Sequence, residues 1–170
     1  INGATVSMQS AGLSTTSSGL GVQVSVSGID LGMQTNDRPM SGRGASGAPG
    51  VYYSDDILTT RGIGLYGFGY TCALGQICNN RGTITVQFSH AVTNPVLSVT
   101  GIGADGTAGM QGWTELTLTT PNISLTKLSG TNLTVTNNRI EPLVKNPGAY
   151  CDDVPNQNVG WTASAGCGSV

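Results

Sequence analysis

Val22-Gln23-Val24-Ser25-Val26 alternates a β-branched apolar residue with a small polar one, a period of two that puts three valines on one side of an extended chain. Gln23 and Ser25 then fall on the other side, so the stretch reads as a strand with one buried and one wet face. The same pattern recurs in Thr83-Ile84-Thr85-Val86-Gln87-Phe88, Val96-Leu97-Ser98-Val99, Glu115-Leu116-Thr117-Leu118-Thr119 and Leu133-Thr134-Val135-Thr136. Weaker segments at 5–9, 65–70, 123–128 and the last few residues bring the predicted total to eight or nine short strands.

Turn-forming clusters separate them: Asn79-Asn80-Arg81-Gly82, Thr93-Asn94-Pro95, Ala104-Asp105-Gly106, Pro121-Asn122, Ser129-Gly130 and Asn137-Asn138. No window carries a 3.6-residue apolar period with caps, which argues against a long helix. Strands joined by short turns, each with one apolar face, must stack that face on another sheet. The expected fold is all-β, an antiparallel two-sheet sandwich of jelly-roll or lectin-like type, with an immunoglobulin-like sandwich as the alternative.

A chain of 170 residues suffices for one well-buried core, so a single domain spanning 1–170 is expected. Two stretches rich in Gly, Pro, Asn and Asp, 28–56 and 143–166, read as long loops. Within the first, residues 39–50, PMSGRGASGAPG, read as a surface loop over one end of the sandwich, or else as a linker between subdomains.

Only 9% of the residues are charged, against about 25% in ordinary globular proteins, and the 26 glycines leave Thr, Ser, Asn and backbone amides to build the surface. With a net charge of −2 and seven scattered basic residues there is no basic patch to neutralise phosphates, which excludes nucleic acid as a partner. No apolar run reaches the length of a membrane span, so membrane insertion is not expected. The start, Ile1-Asn2-Gly3-Ala4, and the end, Gly168-Ser169-Val170, read as cuts from a larger chain, and a monomeric domain of a longer protein is expected.

Four cysteines in a weakly charged, Gly-rich chain favour two disulfides and an extracellular setting, with Cys72–Cys78 and Cys151–Cys167 the expected pairs. Closing those loops would remove unfolded-chain entropy worth about 2 and about 3 kcal/mol. Four cysteines allow three connectivities, and zinc is the competing use, although neither spacing matches a usual ligand set.

Chemistry-bearing residues are sparse. His90, the one histidine, stands at a strand end, and no Ser sits in a G-x-S-x-G elbow, so nucleophilic catalysis lacks its parts. Glycoside hydrolysis needs two facing carboxylates; Glu115, beside Trp113, is the acid to consider, and its plain reading is an exposed strand residue. The doublets Asp55-Asp56 and Asp152-Asp153, the second followed by Asn156 and Asn158, lie on the long loops. Asp152 and Asp153 could furnish part of a calcium cage, but an exposed acidic turn is the simpler reading, and no cofactor is expected. Tyr52, Tyr53, Tyr66, Tyr70, Tyr150, Trp113 and Trp161 are the aromatic candidates for gripping a glycan or peptide. Thr117, Thr119, Thr134 and Thr136 look like residues of a solvated sheet face, and Lys127 like a solvated side chain on a strand.

Thr83-Ile84-Thr85-Val86-Gln87-Phe88 and the following residues to Gly103 resemble a block of large cell-wall-anchored adhesins, in which a strand, a Pro-containing turn and a second strand end in Gly-x-Gly. Trp113-Thr114-Glu115-Leu116-Thr117-Leu118, the SLTKLSGTNLTVTNNRIE run at 124–141 and Gly166-Cys167-Gly168-Ser169-Val170 follow in the order seen in that family. Residues 50–170 are thus similar to the lectin-like non-repetitive domain of CshA-type fibrillar adhesins of Gram-positive bacteria. The resemblance implies a β-sandwich displayed on a fibrous stalk, extracellular and cell-surface or cell-wall anchored, that contacts a host protein or glycan without chemical turnover. It transfers no binding residue.

From loop position and side-chain chemistry, the expected ligand-binding residues are Tyr150, Asp152, Asp153, Asn156, Trp161, Tyr52, Asp55 and Asp56. Two other functions compete with adhesion: a polysaccharide-active enzyme on a jelly-roll scaffold, using Glu115 or a loop Asp, and a structural stalk module.

Overall fold

The computed structural model describes residues 11–15, 19–28, 31–33, 38–39, 53–54, 61–62, 64–67, 76–102, 113–143 and 166–170. Among them are thirteen strands and no helix. The first seven are β1 (Ala11–Thr15), β2 (Gly21–Ser27), β3 (Leu31–Met33), β4 (Arg38–Pro39), β5 (Arg61–Gly62), β6 (Leu65–Gly67) and β7 (Thr83–Phe88). The others are β8 (Ser98–Ile102), β9 (Leu116–Thr117), β10 (Ser129–Thr131), β11 (Leu133–Thr136), β12 (Arg139–Pro142) and β13 (Gly166–Ser169). Every pairing among them is antiparallel, and the chain is all-β.

Two compact units emerge, one formed by Ile1–Pro39 and Thr60–Pro95, the other by Met40–Thr59 and Val96–Val170. One boundary falls at Pro39, where the PMSGRGASGAPG run begins.

In the first unit the stretch that decides the fold is the middle strand of the sheet β1-β2-β7. Its register opposes Val22 to Phe88, Val24 to Val86 and Val26 to Ile84, so the apolar face of β2 continues onto β7. Val22 and Val24 are buried and Gln23 is exposed, as alternation predicts, whereas Val86 on the same face stays exposed. Past the end of β7 the Ser89 N–H donates to the Gly21 carbonyl at 2.8 Å, and the Gly21 N–H donates to Ser89 Oγ at 2.9 Å. His90 Nδ1 lies 3.0 Å from the same hydroxyl, which accounts for the histidine as a strand-end residue. The pairs β3-β6 and β4-β5 complete the described part of this unit.

The second unit holds two three-stranded sheets, β10-β13-β8 and β11-β12-β9. One apolar cluster draws on both: Ile102 from β8, Leu133 from β11, Ile140 from β12 and Val170 beyond β13, with Val99, Leu116, Leu125 and Val135 packed around it. Asn132, at φ 45°, is the corner that hands the chain from β10 in one sheet to β11 in the other. Its carbonyl accepts the Leu143 N–H at 2.9 Å, closing that corner.

The central strand β13 is buried along its whole length because its two faces meet different neighbours. Gly166 and Gly168 face the core: a β-carbon added at Gly168 would lie 2.7 Å from Leu133 Cδ2, and one at Gly166 3.5 Å from Ile102 Cβ. Cys167 and Ser169 face the opposite way. Ser169 Oγ pairs with Ser98 Oγ at 3.0 Å and accepts the Ser54 N–H at 3.1 Å, which ties the stretch carrying buried Tyr53 to this side. Where β13 meets β8 the register shifts by one residue, and Gly101 absorbs the extra residue at φ 70°, the backbone region that only glycine occupies cheaply. The Gly101 N–H then turns to Cys167 Sγ at 3.4 Å, with Thr100 Oγ1 also 3.4 Å from that sulfur.

Ser169 is 0% exposed, so its hydroxyl has no water to fall back on. Ser169→Ala is expected to cost about 1–3 kcal/mol, because the Ser54 N–H and Ser98 hydroxyl lose their partner, and urea titration measures it directly. A loss below about 0.5 kcal/mol would show that neither group depends on it.

Several sequence expectations are corrected. Residues 123–128 form no strand: the Leu125 N–H goes to Asn137 O and the Leu128 N–H to Ser169 O, so the segment bridges two sheets and pairs along neither. The strand expected at 96–99 begins instead at Ser98, although Leu97 exchanges two hydrogen bonds with Val170. The one expected at 115–119 shrinks to Leu116–Thr117, although the Leu118 N–H still bonds Asn138 O in the hairpin turn. Ser129-Gly130 is not a turn but the start of β10. The stretch 28–56 is not an uninterrupted loop, because β3 and β4 lie in it, and the loop at 143–166 ends one residue early, at the start of β13. Ladders of two or three residues are too short for a two-residue period to show. Lys127, expected on a strand in solvent, donates from Nζ to Leu133 O at 2.8 Å. The weak strand at 5–9 and residues 68–70 lie outside the described residues.

Candidate functional site

The sheet β11-β12-β9 is two-faced. Leu133 opposes Pro142, Val135 opposes Ile140, and Ile140 opposes Leu116, so these residues back the sheet against the core. Alternation sends the intervening residues to the other face: Thr134 beside Glu141, and Thr136, Arg139 and Thr117 in one row across the three strands. The turn Asn137-Asn138 sets this register, with neither residue at positive φ, and its carbonyls are bonded by Leu125 and Leu118.

Arg139 Nε lies 3.1 Å from Glu115 Oε1, which fixes the Glu115 carboxylate on the same face as Thr117. The two side chains are 48% and 36% exposed, so the pair contributes at most about 1 kcal/mol to stability. What it supplies is orientation: a carboxylate and a guanidinium held side by side on a rigid pleat. Continuing the register one residue past the start of β9 sets Glu115 opposite Glu141 of β12, the chain's other glutamate. Trp113, two residues before Glu115, is 40% exposed.

Sequence reasoning had placed Glu115 and the threonines on a wet sheet face but missed Arg139 and Glu141. The signal was present: after Asn137-Asn138, Arg139-Ile140-Glu141 alternates polar with apolar and mirrors Leu133-Thr134-Val135-Thr136.

All eight residues expected to bind ligand, Tyr150, Asp152, Asp153, Asn156, Trp161, Tyr52, Asp55 and Asp56, lie outside the described residues. Tyr53, one of the aromatic candidates, is buried at 2% exposure and belongs to the core. Among the described residues no group of three or more His, Cys, Asp or Glu could hold a metal ion, and the calcium candidates Asp152 and Asp153 lie outside them. Among the described residues Cys78 and Cys167 are in disulfide form and no cysteine is free, while Cys72 and Cys151 lie outside them. Also among the described residues, no helix is long and apolar enough to cross a membrane.

Comparison with family models, with curated proteins and with solved structures finds no match for this chain.

Proposed function

We propose that the chain is a non-enzymatic recognition domain, displayed outside the cell in the manner of an adhesin, that binds a glycan or a surface protein. The observation that carries this reading is the two-faced sheet β11-β12-β9, whose apolar side is locked into a core and whose polar side stays open around the Arg139–Glu115 pair. A surface held rigid by packing loses little entropy when it binds, so weak individual contacts suffice. The fold type we propose is a jelly-roll or lectin-like sandwich, supported by two three-stranded sheets that share one apolar cluster.

Cys72–Cys78 and Cys151–Cys167 are the proposed disulfides, supported by the bonded state of Cys78 and Cys167. The second would hold the stretch that carries Tyr150, Asp152, Asp153, Asn156 and Trp161, with Tyr52, Asp55 and Asp56 proposed beside them as further ligand contacts. Arrays of glycans and surface proteins, read with and without calcium, test the loop site. Binding is expected to fall at least tenfold for Asp152→Ala and for Trp161→Ala, and unchanged affinity in both variants would remove these loops from the site.

The juxtaposed Glu115 and Glu141 favour one second reading, a polysaccharide-active enzyme, since glycoside hydrolysis works with a pair of carboxyl groups on one surface. Product release from polysaccharides, abolished by Glu115→Gln, would establish it in place of recognition.

A further inference from the structure

We infer that the wet face of β9, β11 and β12 is a binding platform for an uncharged saccharide, an assignment that rests on the recognition reading above and names a second site for it. The face offers the complement of a sugar's surface. Thr117, Thr134 and Thr136 present hydroxyls that both donate and accept, and the Arg139–Glu115 pair sets donors beside an acceptor, which suits the neighbouring hydroxyls of a pyranose. Exposed Trp113, two residues before Glu115, supplies an aromatic surface for the apolar face of a sugar ring.

Charge chooses among sugars. The guanidinium is already engaged by a carboxylate 3.1 Å away, so an acidic saccharide would have to displace Glu115 to reach it. A neutral one meets no such opposition. Strands lie about 4.8 Å apart, a spacing comparable with the rise of one sugar unit, so successive units of an extended chain can each meet one strand.

The test is titration of the whole 170-residue chain with two neutral hexasaccharides, one of β-linked glucose and one of β-linked N-acetylglucosamine, followed by calorimetry and by amide chemical shifts. One of them is expected to bind, with shifts concentrated at 113–119 and 133–141. Trp113→Ala and Arg139→Met should each weaken binding at least tenfold. Thr117→Lys, an exposed change that leaves the core untouched, should do the same and guards against a misfolded variant. Binding that is unaffected by all three overturns the platform, as does the failure of both hexasaccharides to bind. If Asp152→Ala and Trp161→Ala abolish binding while the platform variants do not, the platform falls and the recognition domain stands. If the chain binds neither saccharides nor surface proteins, both readings fall.

Discussion

Gly130→Ala is expected to lower the unfolding free energy by about 3 kcal/mol or more, enough to drop the melting temperature by about 6–12 °C in a chain of this size. Gly130 sits at φ 126° in β10, opposite Gly168 of the central strand. An added β-carbon would collide with the Cys167 carbonyl oxygen and lie 2.7 Å from Gly168 Cα. Both atoms belong to the backbone of a buried strand, so no side chain can swing aside and β10 must move off β13. Gly19→Ala separates the two contributions, because Gly19 also has positive φ, at 79°, but open space around it. That variant should cost only about 1–2 kcal/mol, the backbone strain alone. Equal losses at the two positions, by thermal and denaturant unfolding, would show that the close approach of β10 to β13 does not matter.

The same pair of strands shows where the sequence was opaque. Alternation at Val22–Val26, Thr83–Phe88 and Leu133–Thr136 is a local property, written in six or fewer consecutive residues, and the strands appear where it predicts. Gly166-Cys167-Gly168-Ser169 has no apolar alternation, although a strand was expected at this end of the chain. Its burial on both faces arises because glycine lets Leu133 of the opposing sheet approach on one side, while the Cys167 and Ser169 side chains point to the other. Such a role depends on partners tens of residues away, and nothing in the four residues themselves announces it. Ser129-Gly130 misled for a related reason: the dipeptide is a common turn, but here positive φ serves a close strand pairing.

Function was less legible than fold. Aromatic and acidic residues gather in sequence at 52–56 and 150–161, a local signal that composition alone displays. The Arg139–Glu115 pair, by contrast, joins residues 24 positions apart through the β12-β9 register, and a register of two residue pairs leaves almost no trace in the sequence. Once the hairpin β11-β12 is in place, the polar set Thr134, Thr136, Arg139 and Glu141 follows from its pairing, β9 adds Thr117, and Glu115 stands just before that strand. The candidate platform is thus a consequence of packing: Leu133, Ile140 and Leu116 must face the core, and their alternate neighbours have only the other face to occupy.

Leu133→Ala should cost about 2–5 kcal/mol, the usual range for truncating a leucine in a core that cannot collapse to fill the space. Leu133 is 4% exposed and starts β11, yet its methyl groups reach the glycines of β13 in the other sheet. It therefore does more than fill volume; it is the contact through which one sheet rests on the other. A double-mutant cycle exposes this. Gly168→Ala in the native background pushes a methyl group against both Leu133 Cδ2, 2.7 Å away, and the Ser129 carbonyl oxygen. With Leu133 already truncated, the collisions with the Ser129 carbonyl oxygen and with Gly130 Cα, 2.9 Å away, remain, so the second substitution should cost about 1 kcal/mol less than it does alone. Strict additivity in urea titrations of the four proteins would mean that Leu133 does not press on Gly168, and that the two sheets are held together by other members of the cluster.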